Sequence, residues 1–492
     1  MTTAAELMRE KVSRKLDENV QRMNHILGVG KSFDVICRHY QLAGRRLALY
    51  FVDGLAKDEI MQLIMQRLAT LKREDLAPDA MQKLLHTHLG YLEVETLDAL
   101  EEIVTAVLSG PLALFVDGEE RALVIDARTY PSRQPEEPDI ERVVRGARDG
   151  FTETLIFNTA LTRRRVRDPS LRMEYLQIGR RSKTDICLAY LEDVADPELV
   201  EMLRKRLNQF HLDGLPMAEK TLEEFIFRKN WNPFPLVRYT ERPDVAAVHL
   251  LEGHVLIYTD TSPSVMITPT TLFHHVQHAE EYRQKPIVGA FLRWVRFLAM
   301  FASVFIPPLW LLLVMEPEMT GEKWDFIRPE TGKPISVFWQ FFLADLEVDI
   351  LRMAAIHTPS SLAAAIGIVA AILIGQVAVD VGLFSNEVIL YLSIAAIGTF
   401  ATPSYELSLA NRLVRLFLLV VVVLFRLPGL VAALIFLFLL LATTRSLNTP
   451  YLWPLIPFNG PALLDILVRA PVPSKRKRPS AISPQDPDRL DR

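Results

Sequence analysis

The chain is poor in the residues that most often announce chemistry. Its two cysteines, Cys37 and Cys187, stand far apart and without metal-ligand spacing. This excludes a cysteine-built metal site and points to a reducing compartment for the polar part. HExxH, GxSxG and CxxC are all absent, so covalent or metal-assisted catalysis has no candidate constellation. We expect no enzyme, no cofactor and no metal. A formal net charge of −4 on 492 residues gives no electrostatic support to a nucleic-acid partner. The opening MTTAAELMREKVSRKLDENVQ is charged throughout and lacks an apolar h-region; the polar part is therefore expected to stay in the cytoplasm.

What is present divides into two unlike halves. The first 285 residues are charged and periodic, and from about residue 294 to 444 long apolar runs dominate before a polar tail. The expected fold class is an α/β soluble region of two similar lobes, followed by an all-α polytopic membrane domain. The expected boundaries are 1–140 for lobe 1 and 141–285 for lobe 2 with its connecting helix. Residues 286–450 then form the multi-span helical domain, and 451–492 a cytoplasmic tail.

The similarity of the lobes is read from two repeats. LALYFVDGLAKDEIMQLIMQRL, from Leu47, reads as strand, turn and helix. It recurs 139 positions later in LAYLEDVADPELVEMLRKRL, where Tyr190 stands for Phe51 and Leu207 for Leu68. GPLALFVDGEERALVI, from Gly110, matches GHVLIYTDTSPSVMI, from Gly253, at a shift of 143 that places Asp117 on Asp260. Each of these reads as a hairpin. Two matches in one order argue for a duplicated unit of ordinary domain size.

Three other stretches have plain readings. Between the repeats, Arg163, Arg164, Arg165 and Arg167 crowd the end of a helical pattern, where a solvated terminus complements the helix dipole. GVGKS at 28–32 has His25 where a phosphate-binding loop needs Gly. HHVQHAEEY spaces His274 and His278 one turn apart near Glu281; with no second ligand cluster visible, it reads as a surface helix leading to the membrane.

In the apolar half, Trp294 to Met315 has the length of one span, with Arg283, Lys285 and Arg293 before it and Arg296 at its start. Basic flanks favour the cytoplasm, so this helix should run outward. In ISVFWQFFLADLEVDILRMAAIH, Asp345, Asp349 and Arg352 share one side of a helix. A polar stripe at membrane depth points to a bundle interior, a water-filled route or a flat interfacial helix. SLAAAIGIVAAILIGQVAVDVGLF is a span with Gln376 and Asp380 stacked one turn apart. LFLLVVVVLF and LPGLVAALIFLFLLLAT are each short, and form either a tight hairpin or one helix broken at Pro428 and Gly429. The patch AAIGTFATPSYELSLANRLVR reads as a cytoplasmic loop, favoured by Arg412 and Arg415, or as the mouth of a crevice lined by Glu406. Lys475, Arg476, Lys477 and Arg478 suit a cytoplasmic end near anionic lipid.

RGARDGFTETLIFNTALTRRR, IGRRSKTDI, YTERPD, EGHVLIYTDTSPSVMI and TPSYELSLANRLVRL stand in one order. Together they resemble the GerA-type A-subunit family of spore germination receptors, over about residues 140–470. Ala147 replaces the family's usual Pro, and Thr261 the Gly of DGSP; the second departure separates the chain from nutrient-sensing members. The resemblance implies a spore germination protein of the inner spore membrane with both termini cytoplasmic. It also implies a homo-oligomeric channel that releases monovalent cations or amplifies their release. The partners implied are a second small membrane protein and germination receptor complexes. The ion-path candidates from the residues are Asp345, Asp349, Arg352, Gln376, Asp380 and Glu406. A membrane-anchored scaffold and a secondary transporter are the alternatives, although the inverted repeats of a transporter are not visible in the apolar half.

Overall fold

The structure is a computed structural model that describes residues 4–76, 79–89, 93–128, 141–228, 231–319, 326–329, 334–357, 367–369 and 372–489. Lobe 1 runs α1 (Leu16–Leu27), β1 (Val35–Leu42), β2 (Arg45–Val52), α2 (Asp58–Ala69), β3 (Val94–Leu97), α3 (Leu100–Ser109), β4 (Leu112–Val116) and β5 (Ala122–Ile125). Its antiparallel sheet has the order β1-β2-β4-β5-β3. Alternation along β2 explains the three layers, because successive side chains point to opposite faces. Ala48, Tyr50 and Val52 pack under α1 and α3, while Leu47, Leu49 and Phe51 pack under α2.

Lobe 2 runs α4 (Leu155–Arg165), β6 (Leu171–Ile178), β7 (Thr184–Leu191), α5 (Pro197–Asn208), α6 (Ala218–Phe227), β8 (Arg238–Thr240), α7 (Pro243–Glu252), β9 (Val255–Thr259) and β10 (Val265–Thr268). Its order, β6-β7-β9-β10-β8, repeats that of the first sheet. The repetition reaches individual hydrogen bonds. Asn19 accepts from the Ser13 amide at 2.8 Å and donates to the Ser13 carbonyl at 2.6 Å, and Asn158 does the same to Thr152 at 2.7 and 2.6 Å. Asp117 accepts from the Leu16 amide at 3.1 Å, and Asp260 from the Leu155 amide at 3.0 Å. Both lobes thus fix the entry of the first helix with an Asn bracket and a carboxylate from the hairpin turn. That turn places Thr261 at φ 71°, backbone that favours glycine.

The basic end of α4 departs from its sequence reading. Arg163 is fully buried, and its guanidinium grips Asp34 at 2.9 Å and Ser32 at 3.3 Å across the lobe boundary. Ser32 also accepts from the Met173 amide at 3.0 Å. The GVGKS stretch is therefore an interlobe latch, and only part of the Arg run is solvated.

The apolar half contains α8 (Pro286–Met315), α9 (Val337–His357), α10 (Asn386–Phe400) and α11 (Tyr405–Thr443). Two of them, α8 and α11, are long and apolar enough to cross a membrane. Residues 361–366 of the apolar run that carries Gln376 and Asp380 lie outside the described residues; 367–369 and 372–380 are helical. Gly398 of α10 lies so close to α8 that an added Cβ would stand 2.1 Å from the Ala299 carbonyl oxygen. A single helix does not describe α11. Arg426 has φ 56° and ψ −142°, and the rings of Phe417 and Phe436 lie 6.1 Å apart, where a straight helix would separate them by about 28 Å. The chain folds back at Arg426 as a tight helical hairpin. Gly429 permits the return, since a Cβ there would sit 2.4 Å from that of Phe425.

The tail returns to the lobes. After α12 (Gly460–Leu467), the Gln485 side chain donates to the Ala195 carbonyl at 2.7 Å, and Arg489 pairs with Glu252 at 2.8 Å. Of the four basic tail residues, Lys475 is bound to Asp465 and Arg478 to Asp486. Arg476 and Lys477 remain exposed.

Candidate functional site

The polar patch between the apolar segments is a short turn followed by helix. Residues 401–404 make the turn, and Ser404 caps α11 by accepting from the Leu407 amide at 3.2 Å. Arg412 and Arg415 therefore lie on the second and third turns of α11 and not in a loop. Three residues apart, they face α9 together.

There they meet the Asp stripe. Arg415 is buried and donates to Asp345 Oδ1 at 2.8 Å, to the Ser303 carbonyl of α8 at 3.2 Å and to Thr399 Oγ1 of α10 at 3.5 Å. Arg412 donates to the Asp345 carbonyl at 2.7 Å and pairs with Asp349. Two carboxylates and two guanidiniums thus join four helices with no net charge. Isolated ions in an apolar interior are strongly unfavourable, and pairing offsets that cost. Arg352 does not neutralise Asp349, as its spacing allowed; its guanidinium stacks 4.7 Å over the Tyr405 ring. The stripe is a brace between helices.

Gln376 and Asp380 sit elsewhere. Both are exposed, on the surface of the apolar half. Glu406 is half-buried, accepts from Ser404 Oγ at 2.9 Å and lines a cavity of about 230 Å³ between lobe 2 and the turn before α11. Glu141, Glu219 and Glu241 line the same cavity with Arg238, whose guanidinium pairs with Glu141 at 2.8 Å. The six sequence candidates thus fall in three places: the interhelical brace of Asp345 and Asp349 with Arg352 at its edge, an exposed face and an acidic cavity.

Sequence reading missed Arg412 and Arg415 as partners of the stripe. The available signal was complementary spacing, since acids four apart on one helix match bases three apart on another.

A second cluster also escaped it. His274 lies in the short helix Leu272–Val276, while His278 precedes the next one, Ala279–Arg283, and caps it by accepting from the Glu280 amide; the two do not share one surface helix. His274 is buried and faces His254 and His249, with ring centroids 5.0 and 6.0 Å away. Burial pushes all three imidazoles below their ordinary pKa, His254 to about 4, so they are neutral at neutral pH. Glu281 is fully buried in an ion pair with Arg293 at 2.7 Å. The basic flank of α8 is thus partly an internal clamp, and Arg293 also holds the Ile466 carbonyl of α12 at 2.6 Å.

Comparison with known proteins agrees with the family resemblance. The model of the Bacillus/Clostridium GerA spore germination protein matches residues 21–481. Stage V sporulation protein AF of Bacillus subtilis is 51% identical over 97% of this chain and 97% of its own length. Spore germination protein KA of the same organism is 28% identical over 93% of this chain and 85% of its own. The crystal structure of the N-terminal domain of the A subunit of the Bacillus megaterium spore germinant receptor GerK3 is similar over 53% of this chain and 96% of that one. That alignment has 26% identity and a TM-score of 0.42. With a family model covering most of its length and a relative that is half identical from end to end, the chain belongs to the GerA family of spore germination proteins.

Proposed function

We propose that the chain is a subunit of an oligomeric cation channel in the inner spore membrane. It releases monovalent cations, or amplifies their release, during germination. The observation that carries this reading is the exposure of Gln376 and Asp380 on an otherwise apolar helical surface. A charged side chain facing acyl chains at the bilayer centre costs about 2.5–3.5 kcal/mol on insertion scales. A second copy of the chain, enclosing water between the two faces, removes that cost and gives cations a carboxylate-lined route. The interior of one copy is filled by apolar side chains such as Leu392, Leu418 and Val422, which favours a path between copies. Asp345 and Asp349, braced by Arg412 and Arg415, then border the path together with Arg352. The cavity with Glu406, Glu141, Glu219 and Glu241 supplies an acidic mouth on the side of the lobes, attractive to cations.

The contacts of the tail with lobe 2 support placing both termini on one side, the cytoplasm by the basic flank of α8. The names of the relatives, spore germination proteins, support partnership with germination receptor complexes; a second small membrane protein is the partner that the family resemblance implies. Exposed Arg476 and Lys477 are the groups left for anionic lipid.

The test is conductance of the purified chain in planar bilayers, wild type against Asp380→Asn. We expect cation conductance in the wild type and a marked fall in the variant, at unchanged protein level and membrane insertion. No conductance in the wild type replaces the channel with a membrane-anchored scaffold; conductance unchanged in both Asp380→Asn and Asp345→Asn keeps a channel but removes these residues from its path.

A further inference from the structure

The histidine cluster of lobe 2 has no role in the ion path. Its ligand atoms are close: those of Glu252, His254 and His274 lie within 4.8 Å of one another. They come from three places in the fold, namely the last residue of α7, the residue before β9 and the short helix Leu272–Val276.

Hydrogen bonding sets the imidazoles. Nδ1 of His254 lies 2.8 Å from the Pro269 carbonyl oxygen, and because a carbonyl only accepts, Nδ1 carries the proton and Nε2 a lone pair. That Nε2 is fully buried and has no hydrogen-bond partner. An unmet buried acceptor costs about 1–3 kcal/mol, so its persistence calls for an occupant. His249 is fixed in the same manner, with Nδ1 2.8 Å from the Val245 carbonyl, and its ring packs 5.0 Å from that of His254. Nδ1 of His274 accepts from the Thr271 amide at 3.0 Å, with Thr271 Oγ1 also 3.0 Å away; the proton of the neutral ring therefore sits on Nε2 and has to leave when a metal ion takes that position. Glu252 adds a carboxylate whose partner is Arg489 of the tail. An imidazole oriented through Nδ1 by a carbonyl, with its Nε2 free beside a second imidazole and a carboxylate, is an arrangement that protein zinc sites use.

We propose that Glu252, His254 and His274 bind a divalent transition metal ion of the zinc class, with His249 packed against them as a positioning residue. The donor set of two imidazoles and one carboxylate suits Zn²⁺ and Co²⁺ better than Mg²⁺ or Ca²⁺, which prefer oxygen. Bound metal would tie the end of α7 to the segment that leads into α8, beside the anchored tail. The site is not a default of the fold, because the matching positions of lobe 1 hold Ala106, Ser109 and Pro111 for His249, Glu252 and His254.

Full-length chain in detergent, stripped of metal with a chelator, is titrated with Co²⁺ and then Zn²⁺. The expected result is saturable binding of one Co²⁺ per chain, with a visible ligand-field band that Zn²⁺ abolishes. X-ray absorption of the zinc-loaded wild type should show two imidazoles in the first shell. His254→Ala and His274→Ala should each lower affinity by more than the about 10–100-fold that outer-shell changes cost. Glu252→Gln keeps the shape and should weaken binding, while His278→Ala should leave it unchanged. The proposal is overturned if the folded wild type binds neither ion saturably, if its absorption spectrum lacks imidazole ligands, or if affinity survives in His254→Ala and His274→Ala. None of these readouts depends on conductance, so the site and the channel stand or fall separately.

Discussion

In lobe 1, α3 ends at Gly110 with φ 115°, and in lobe 2, α7 ends at Gly253 with φ 106°. Up to these glycines the lobes carry the same sheet order, the same Asn bracket and the same carboxylate at the first helix. Beyond them they diverge. Pro111 follows in lobe 1, where an open cleft is lined by Glu101, Ala106 and Ser109; in lobe 2 His254 follows, and the tail lies across the surface through Gln485 and Arg489. The comparison teaches that duplication preserved what the backbone needs, namely capped helices and alternating strands. The outer surface was left free to take on the tail, the histidines and the junction with the apolar helices.

The most damaging way to break the comparison is to uncouple the lobes. Arg163→Ala leaves Asp34 buried without its partner, and loss of one member of a buried pair costs about 3–5 kcal/mol. Denaturant unfolding of the full chain should show this loss, with faster hydrogen exchange in residues 28–34 and β6; a change below about 1 kcal/mol would mean that the lobes do not depend on the latch.

Asn19→Ala and Asn158→Ala test whether the repeated bracket has one energetic weight. Each removes two hydrogen bonds to the backbone of one half-buried residue, Ser13 or Thr152, so both should cost about 2 kcal/mol. Thermal unfolding of the two variants should agree closely, and a large inequality would show that one lobe has lost dependence on its bracket.

The glycine caps come next. Alanine at φ above 100° is strained, and each of Gly110→Ala and Gly253→Ala should cost about 1 kcal/mol or more. In lobe 2 the new methyl would also stand 3.4 Å from Ile482 of the tail. Limited proteolysis should therefore find the tail loosened in Gly253→Ala and unchanged in Gly110→Ala.

The smallest effect is expected from Arg489→Ala. A single ion pair near the surface contributes about 0.2–1 kcal/mol, so global stability should barely move while exchange of the last tail residues rises. Full protection of the tail in that variant would assign its anchoring to Gln485 and Ile482 instead.

Much of the architecture was legible in the sequence, for identifiable reasons. The unbroken apolar run LALYFV determines a strand buried on both faces, and the shifts of 139 and 143 determine that the lobes correspond, because equal spacing of caps, turns and apolar positions demands equal backbone. Pro428 and Gly429 left a hairpin or a broken helix open, and the structure takes the hairpin. Only the tertiary structure decided the partners of the charges. Asp34 and Arg163 lie 129 residues apart, Asp345 and Arg415 70. Helical spacing tells which residues share a face, but not which other face will meet it. For that reason Arg163 read as solvated, Arg412 and Arg415 as a loop, and His274 as a surface residue until the fold brought distant segments together. A buried charge or imidazole is defined by what closes over it, and closure belongs to packing and not to local sequence.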